Sequence, residues 1–403
     1  MKKLLLETEN FFDKHNWLRV LILSIPFFNE VYPPVSLLSD YIIDSCKFLA
    51  FVILILIMIR KRNKPSALFI SLLVIEGWWV VSTMLNYPLS ETTVYQKLIM
   101  DNINALSVAL IVECFIDDPI NLTKGLMLSF ELALYPDLVV AFIKPLKDNQ
   151  QLLGYYSVVI LWLLPALCVL FMNIVLNRQY IRSALLLMAI IAITIRTWCA
   201  TIVVALMAFF GIIILGTIML KTGKFRNFKL PLSLFVILAI LLNVFVLFAY
   251  TGGSFPLIDV IIEKVLRRST SFSERDVIWK EAMRMIGEKP WVGHGFRPEI
   301  MVSNSTADSF IHAHNQILQR LNATGIIGLT TFIIFHIILC VKVDRSKNTF
   351  LRLVMVGGVT GVCITYITEG YKKFFRFYLL FFLAYHVDEI IQNSYQNTDY
   401  LLK

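Results

Sequence analysis

The chain has 403 residues, of which 58% are hydrophobic and 16% are charged. Soluble globular domains contain about 45–50% apolar and about 25% charged residues, so this composition argues against a water-soluble multidomain enzyme and against a disordered chain. The 37 Lys and Arg outnumber the 28 Asp and Glu, a net charge of +9. In a soluble protein that excess of positive charge would suggest nucleic-acid binding. In a membrane protein it can instead reflect which loops face the cytoplasm.

Twelve apolar segments are candidate membrane spans, since a spanning helix needs about 20 mostly apolar residues. The first is interrupted by Pro26 and Glu30, and the seventh is short and ends at Arg196. Together they predict an all-α, polytopic membrane helix bundle. The segments lie near residues 17–36, 41–59, 66–85, 102–116, 125–143, 155–176, 183–196, 199–220, 230–250, 323–342, 351–368 and 374–391.

Lys and Arg concentrate in the short loops after the second, sixth, eighth and tenth segments. By the positive-inside rule these loops are cytoplasmic, and an even number of spans puts both termini there too. The basic start, Met1-Lys2-Lys3, is predicted to be a cytoplasmic lead-in and not a cleaved signal peptide. The six cysteines lie in or beside apolar runs without a CxxC pair, which predicts buried side chains and neither disulfides nor a zinc site.

One long polar stretch, residues 251–322, falls outside the membrane on the opposite side. It divides the chain into a bundle of about nine spans (1–250), a large extracytoplasmic loop (251–322) and about three C-terminal spans (323–403). The loop holds nine Lys and Arg and three of the six histidines. A loop this long between spans is more often functional than connective, so we expect the chemistry there.

A first helix is predicted within this loop. Ser273 and Asp276 have the spacing of a capping box, and apolar residues follow at helical spacing as far as Gly287. Arg275 then lies in the first turn, where a cation opposes the helix dipole. An anion such as phosphate at the same helix end would explain its presence, because arginine offers planar paired donors. A solvated surface arginine is the alternative.

A second helix is predicted from Phe310 to Thr324, ended by Gly325, with His312 and His314 in its first turns. The positive end of a helix lowers the pKa of an imidazole and keeps it neutral, as a general base requires. The alternative is a pair of polar residues at the membrane interface. A zinc site is not expected, because residues two apart on a helix point to different faces.

Other ionisable residues lie in apolar surroundings. Arg196 is at the outer end of the seventh segment, where a charge is either functional or snorkels to the interface. Glu131 and Asp137 flank Pro136 and could mark the broken helix of a transporter. No inverted repeat accompanies them, and the remaining acids, Glu76, Glu113 and Glu369, are scattered, so the transporter signal is weak.

Four sequence stretches carry a recognisable pattern. They are Ser273-x-Arg275-x-x-x-Trp279, Lys289-Pro290-Trp291-Val292-Gly293-His294-Gly295-Phe296, His312-Ala313-His314-Asn315-Gln316-Ile317-Leu318 and Gly325-Ile326-Ile327-Gly328-Leu329. Together they resemble the O-antigen ligase/polymerase family of polytopic bacterial glycosyltransferases. The resemblance covers about 273–329, and the span layout with its large outer loop extends it along the chain. Thr194-Ile195-Arg196 lacks the serine that often precedes the family's earlier arginine, and His294 replaces a usually apolar residue.

The resemblance implies glycans on undecaprenyl diphosphate as substrates, transferred at the extracytoplasmic face of the bacterial plasma membrane without a metal, nucleotide sugar or other cofactor. Arg196 and Arg275 would stabilise the diphosphate, and His314 would accept the proton of the attacking sugar hydroxyl. Further substrate contacts are expected from Arg268, Arg297, His312, Asn315 and Trp279. Membrane lipid, a flippase and a chain-length regulator are the expected partners, and nucleic acid is not.

Three functions stay open at this point. The leading one is a polymerase that joins lipid-linked repeat units into capsule, exopolysaccharide or O-antigen. The second is a ligase of the same family that moves finished glycan onto a lipid or surface acceptor. The third is a flippase, which predicts internal repeats and a polar central cavity. Sugar specificity is not readable, because the aromatic residues could stack on sugars or pack at the interface: Trp78, Trp79, Tyr155, Tyr156, Trp279, Trp291 and Phe296.

Overall fold

The structure is a computed structural model, and it describes residues 15–28, 37–143, 150–222, 229–252, 275–296, 300–304, 307–371 and 374–401. Nearly all of these residues are helical. The helices in the first part of the chain are α1 (Asn16–Phe28), α2 (Leu37–Lys61), α3 (Ala67–Asn86), α4 (Thr92–Phe115), α5 (Pro119–Ile143), α6 (Ile160–Asn177), α7 (Tyr180–Thr197), α8 (Ala200–Thr222) and α9 (Leu232–Gly252).

A short hairpin lies before α6, and the part of the chain after α9 contains five helices and a second hairpin. The helices are α10 (Arg275–Glu288), α11 (Gln316–Arg345), α12 (Phe350–Thr365), α13 (Phe375–Tyr385) and α14 (Val387–Leu401). The antiparallel hairpins are β1 (Gln150–Gln151) with β2 (Gly154–Tyr155), and β3 (Ile300–Asn304) with β4 (Ala307–Ile311). The long polar stretch, residues 251–322, thus contains α10 and the second hairpin.

The predicted polytopic helix bundle is confirmed. Eight described helices are long and apolar enough to cross a membrane: α2 to α5, α6 with the 3-10 turn before it, α7, α8 and α11. Three shorter apolar helices (α1, α12 and α13) and the apolar stretch Leu232–Phe248 of α9 overlap the remaining predicted segments. Helix α12, for example, has 16 residues and spans about 24 Å, less than the hydrocarbon core of a bilayer.

Helix α12 lies at the centre of the bundle. Every residue from Leu351 to Cys363 is buried, and the helix packs against α6, α8, α9 and α13. A Cβ at Gly357 would lie only 2.9 Å from the carbonyl oxygen of Phe209, so the small residue permits close approach of α8. This tight packing fixes the loop that follows α12, which carries Glu369.

The structure lacks one weak possibility raised by the sequence, a broken helix at Pro136, and it contradicts one predicted helix start. Helix α5 runs as one helix through Pro136, and Asp137 accepts a hydrogen bond from Leu153 N (3.1 Å) while Glu131 binds Arg182 (2.6 and 2.5 Å). These acids therefore hold neighbouring segments, and the broken helix that favoured a transporter is not there. The helix start predicted at Phe310 is wrong, because residues up to Ile311 pair in the hairpin.

The start of α11 explains this error. Asn315 is its N-cap, with a side chain that accepts hydrogen bonds from Ile317 N and Leu318 N. Both histidines therefore precede the helix instead of lying in its first turns. The predicted stop at Gly325 is confirmed as a kink with φ +63°, after which the helix resumes.

A partly buried ion cluster joins α4, α11 and the start of α14. His386 Nε2 lies 3.1 Å from Glu113 Oε1, its Nδ1 lies 3.4 Å from Glu389 Oε2, and Lys342 donates to Glu389 Oε1 (2.8 Å). Burial lowers the pKa of His386, but the two carboxylates outweigh burial and raise it above the usual range. Folding therefore favours the protonated imidazole.

This cluster predicts a stability that depends on pH. A raised folded-state pKa contributes stability that is fully present below the unfolded value, about 6.5, and is lost as pH rises through the folded value. We expect His386→Asn to lower the melting temperature of the purified protein by more at pH 5.5 than at pH 9. An equal loss at both pH values, measured in one detergent, would contradict this assignment.

Candidate active site

Three separate segments bring ionisable side chains together at one end of α10. Arg275, the first residue of α10, places Nη2 3.5 Å from Glu369 Oε1. His314, just before α11, places Nδ1 3.7 Å from Glu369 Oε2. The Glu369 side chain is 7% exposed, whereas those of Arg275 and His314 are 19% and 26% exposed. One buried carboxylate thus lies between a cation and an imidazole that solvent can reach.

The protonation state of Glu369 follows from these neighbours. Burial raises the pKa of its carboxyl, but the adjacent His314 and the positive charge of Arg275 together outweigh burial, so the pKa lies below its usual range. Glu369 lies in the loop between α12 and α13, where it is ionised at neutral pH. It can therefore orient both Arg275 and His314.

His314 has a backbone conformation that is uncommon for a residue with a side chain. Its φ is +44°, in the left-handed region. His314 N donates to His312 Nδ1 (3.2 Å), and the two imidazole rings lie with centroids 3.9 Å apart. Strained residues of this kind cluster at functional sites, where the surrounding structure holds them in place.

Several hydrogen bonds hold the His312–Asn315 segment. Trp279, fully buried, donates Nε1–H to Ala313 O (2.9 Å), and Ala313 N donates to Gln319 Oε1 (2.9 Å). Asn315 Nδ2 donates to Asn243 Oδ1 (3.0 Å) and Ile367 O (3.2 Å). Trp279 and Asn315 therefore position the backbone on both sides of His314, and a substrate contact by either stays a prediction.

The same segment is tied to the Glu369 loop. Gln316 N donates to Tyr366 O (2.9 Å), and Tyr371 N donates to Gln316 Oε1 (3.0 Å). These bonds bracket Glu369 on either side. They fix the separation of the carboxylate from His314 even though one residue follows α12 and the other precedes α11.

Arg196 lies in the last turn of α7, exposed, at the turn into α8. The first turn of α8 contacts the Glu369 loop, because Thr201 Oγ1 and Thr368 Oγ1 form a 2.8 Å hydrogen bond. Arg196 forms no ion pair or hydrogen bond with a described residue, and its predicted role at the diphosphate stays a prediction. Three predicted residues lie outside the described residues: Arg268, Arg297 and Ser273. Substrate contacts by the two arginines and helix capping by Ser273 therefore stay predictions.

The glycine-rich motif crosses the kink of α11. His294 N donates to Asn322 O (2.7 Å), and Ile326 N donates to Pro290 O (2.8 Å). A Cβ at Gly325 would lie 2.3 Å from the Trp291 carbonyl carbon, so only glycine allows this approach. The His294 ring, which had no expected role, lies 2.8 Å from Met285 O and links the motif to α10.

The expectation that His312 and His314 lie on one helix and point to different faces, which argued against a zinc site, was wrong. His312 and His314 are not on a helix, and with Glu369 they bring three ligand atoms within 4.8 Å of one another. These ligand types and this spacing would suit a zinc ion. However, Arg275 shares the carboxylate, and its charge opposes a cation at the same place.

Two cavities are lined by residues that adjoin the cluster along the chain, and they use different residues of α11. A polar cavity of about 480 Å³ lies between α3, α4, α11 and α13, with His312 on its wall. An apolar groove of about 790 Å³ lies between α9, α11 and α12. Its lining runs from Asn243 and Ile317, beside the N-cap of α11, to Asp344 and Arg345 at the other end.

Sequence reasoning missed Glu369 as a member of the site. It stood out only as an acid after an apolar segment, far along the chain from His314. The one sequence feature that could have indicated it is an acidic residue at the end of a span. A carboxylate buried there is costly unless charged or hydrogen-bonding partners stabilise it. Both partners, Arg275 and His314, were predicted.

The chain is similar to known proteins over part of its length. The sequence model of the O-antigen ligase family matches residues 181–333. A stretch of 74 residues is 36% identical to the O-antigen ligase of Pseudomonas aeruginosa and covers 18% of each chain. A 228-residue alignment is 25% identical to a candidate polysaccharide ligase of Rickettsia felis, covering 49% of this chain and 52% of that relative.

These alignments span about a fifth and about half of the relatives' own lengths. The family match includes the three residues predicted to be catalytic, Arg196, Arg275 and His314, and it ends within α11. Glu369 lies beyond it. The resemblance seen in the sequence is confirmed over residues 181–333, which match the model of the O-antigen ligase family.

Proposed function

We propose that the protein transfers glycans from undecaprenyl diphosphate to a sugar hydroxyl at the extracytoplasmic membrane face. We further propose that it polymerises oligosaccharide repeat units into capsule, exopolysaccharide or O-antigen. The observation that carries the proposal is the cluster of Arg275, Glu369 and His314. In this cluster the buried carboxylate of Glu369 contacts both Arg275, a cation suited to a diphosphate, and His314, a base suited to a hydroxyl.

The chemistry follows from these positions. The acceptor hydroxyl oxygen attacks the anomeric carbon of the donor sugar, and the bond from that carbon to the diphosphate oxygen breaks. Because His314 Nδ1 faces Glu369, Nε2 is the nitrogen that accepts the hydroxyl proton. The electron pair of the broken bond leaves with the diphosphate, where Arg275 and Arg196 stabilise the developing charge.

The apolar groove supports a lipid-linked donor. Its lining includes Ile237, Leu329 and Phe332, and it ends at Asn243, which contacts the N-cap residue next to His314. A polyisoprenyl chain lying between α9, α11 and α12 would bring its diphosphate to the site. We also propose that the enzyme lies in the inner membrane with cytoplasmic termini, receives its substrate from a flippase and works with a chain-length regulator.

Glu369→Gln is expected to lower transfer by about tenfold, less than the loss of either partner, because a positioning group contributes through the residues it orients. Glutamine keeps the shape of the Glu369 side chain but removes its negative charge. That charge orients Arg275 and favours the tautomer of His314 with the proton on Nδ1. Initial rates with lipid-linked repeat units in proteoliposomes measure the effect. Wild-type rates for this variant, at equal protein in the membrane, would remove Glu369 from the site.

Metal independence is a separate prediction. Arg275 supplies the positive charge for the diphosphate, so dialysis against EDTA is expected to leave the transfer rate unchanged. Added Zn²⁺ in excess is expected to inhibit, because it can displace Arg275 from Glu369, bind the trio of His312, His314 and Glu369, and block the base. Loss of activity after dialysis, restored by one divalent metal, would show that the trio holds a catalytic ion instead.

A ligase is the second candidate, favoured by the names of both relatives. Purified protein supplied only with lipid-linked repeat units distinguishes the functions. A polymerase yields a ladder of lengthened glycans. A ligase yields product only after a separate lipid or surface acceptor is added, and a flippase moves the lipid across the bilayer without forming a glycosidic bond.

A further inference from the structure

The polar cavity beside His312 contains buried polar groups that the described protein does not satisfy. Glu76 and Arg320 are 3% and 7% exposed, and both line the cavity with Trp79. Glu76 Oε2, Trp79 Nε1 and Arg320 Nε form no hydrogen bond with a described residue. Buried polar atoms are rarely left in this state, so each requires an explanation.

Two other polar atoms of these groups have hydrogen-bond partners. Tyr378 OH donates to Glu76 Oε1 (3.4 Å), and Arg320 Nη2 donates to Tyr378 OH (3.5 Å). The guanidinium of Arg320 also lies over the ring of Trp79, 5.6 Å from its centroid. The three side chains therefore form a fixed set that offers one acceptor and two donors to a ligand.

The chemistry of the set matches a sugar. A hydroxyl group donates one hydrogen bond and accepts others, so neighbouring hydroxyls can donate to Glu76 Oε2 and accept from Arg320 Nε–H and Trp79 Nε1–H. The rings of Trp79 and Phe296, with centroids 5.6 Å apart, add apolar surface for the C–H face of a pyranose. The lining carries two acids, Glu76 and Asp101, and two cations, Lys97 and Arg320, which suits an uncharged sugar.

The cavity also has the right position. His312 lies on its wall, and its ring packs against that of His314. Gly370, next to Glu369, lies on the same wall, whereas the apolar groove has a different lining on α11. We propose that this cavity binds the non-reducing terminal sugar of the acceptor glycan, a neutral pyranose, and presents its hydroxyl to the histidine pair. The inference rests on the proposed function and assigns its second substrate.

The test measures glycan binding apart from donor binding. The probe is the repeat-unit oligosaccharide of the source cells, released from its lipid by mild acid so that it has no diphosphate. We expect Glu76→Gln to weaken its binding to protein in nanodiscs about tenfold, and Trp79→Phe, which keeps the ring but removes the N–H, about threefold. Glu131→Gln is the matched control, because that acid pairs with Arg182 outside the cavity and should leave glycan binding unchanged.

Undecaprenyl diphosphate without sugar is the second probe. We expect Glu76→Gln and Trp79→Phe to bind it as the wild type does, and Arg275→Ala to bind it at least about tenfold more weakly. Unaltered glycan binding by both cavity variants, or no glycan binding by the wild type, would overturn the inference. Carrier binding that persists in Arg275→Ala would instead count against the proposed function, so the two failures are distinct.

Discussion

Replacing His314 is expected to reduce glycan transfer by about 10²–10⁴-fold, the usual contribution of a general base. The physical reason is that His314 alone in the cluster can accept the proton of a sugar hydroxyl, since Glu369 is held as a low-pKa carboxylate. Glycine is the better replacement, because the backbone of His314 has φ +44° and glycine adopts this conformation without strain. The rate of chain growth in proteoliposomes measures the loss.

Imidazole in solution provides the control for this variant. If the fold of His314→Gly is intact, added imidazole should occupy the space of the missing ring and restore part of the rate, with a pH profile that follows the free imidazole. Undecaprenyl diphosphate should bind the variant as it binds the wild type. Full activity of His314→Gly without imidazole would exclude His314 as the base.

Replacing Arg275 with alanine is the second large effect, about 10²–10³-fold, as for other groups that stabilise developing anionic charge. Arg275→Lys should recover only part of this loss, because an ammonium keeps the charge but not the planar paired donors. Both variants should still insert, since Arg275 is at the start of α10 and not within a span. Transfer rates and membrane levels, measured together, separate catalysis from folding.

The pH profile of Arg275→Ala gives an independent readout. Arg275 contributes to the lowered pKa of Glu369, so without it this pKa rises and the carboxylate protonates at higher pH. The acid-side fall in residual activity is therefore expected to move to higher pH than in the wild type. A fall at the same pH, or at lower pH, would mean that the two residues are not coupled as the 3.5 Å contact indicates.

The apolar segments and the motif residues predicted much of the molecule. Hydrophobic runs report spans directly, because the bilayer selects length and apolarity. Helix α10 was likewise predicted, since it has an amphipathic period and begins at Arg275. The hairpin of β3 and β4 was not predicted, because an apolar stretch near Phe310 fits a helix as well as a strand. The helix starts only after its N-cap residue, Asn315.

Long-range geometry was the part that sequence could not supply. Glu369 joins Arg275 and His314 only because α12 packs in the centre of the bundle and returns its loop to the start of α11. Gly293, Gly295 and Gly325 belonged to the recognised motif, but their purpose is visible only where two backbones cross. The unpaired atoms of Glu76 and Arg320 likewise become informative only once their cavity is seen.

The most direct test of glycan transfer at the Arg275–Glu369–His314 cluster is to count carrier release against bond formation. Purified protein in liposomes is supplied with lipid-linked repeat units, and undecaprenyl diphosphate and new glycosidic bonds are measured in the same samples. The proposed chemistry predicts one carrier released for each bond formed, with both falling together in His314→Gly and Arg275→Ala. Carrier release without new bonds, or bond formation that survives in both variants, would contradict it.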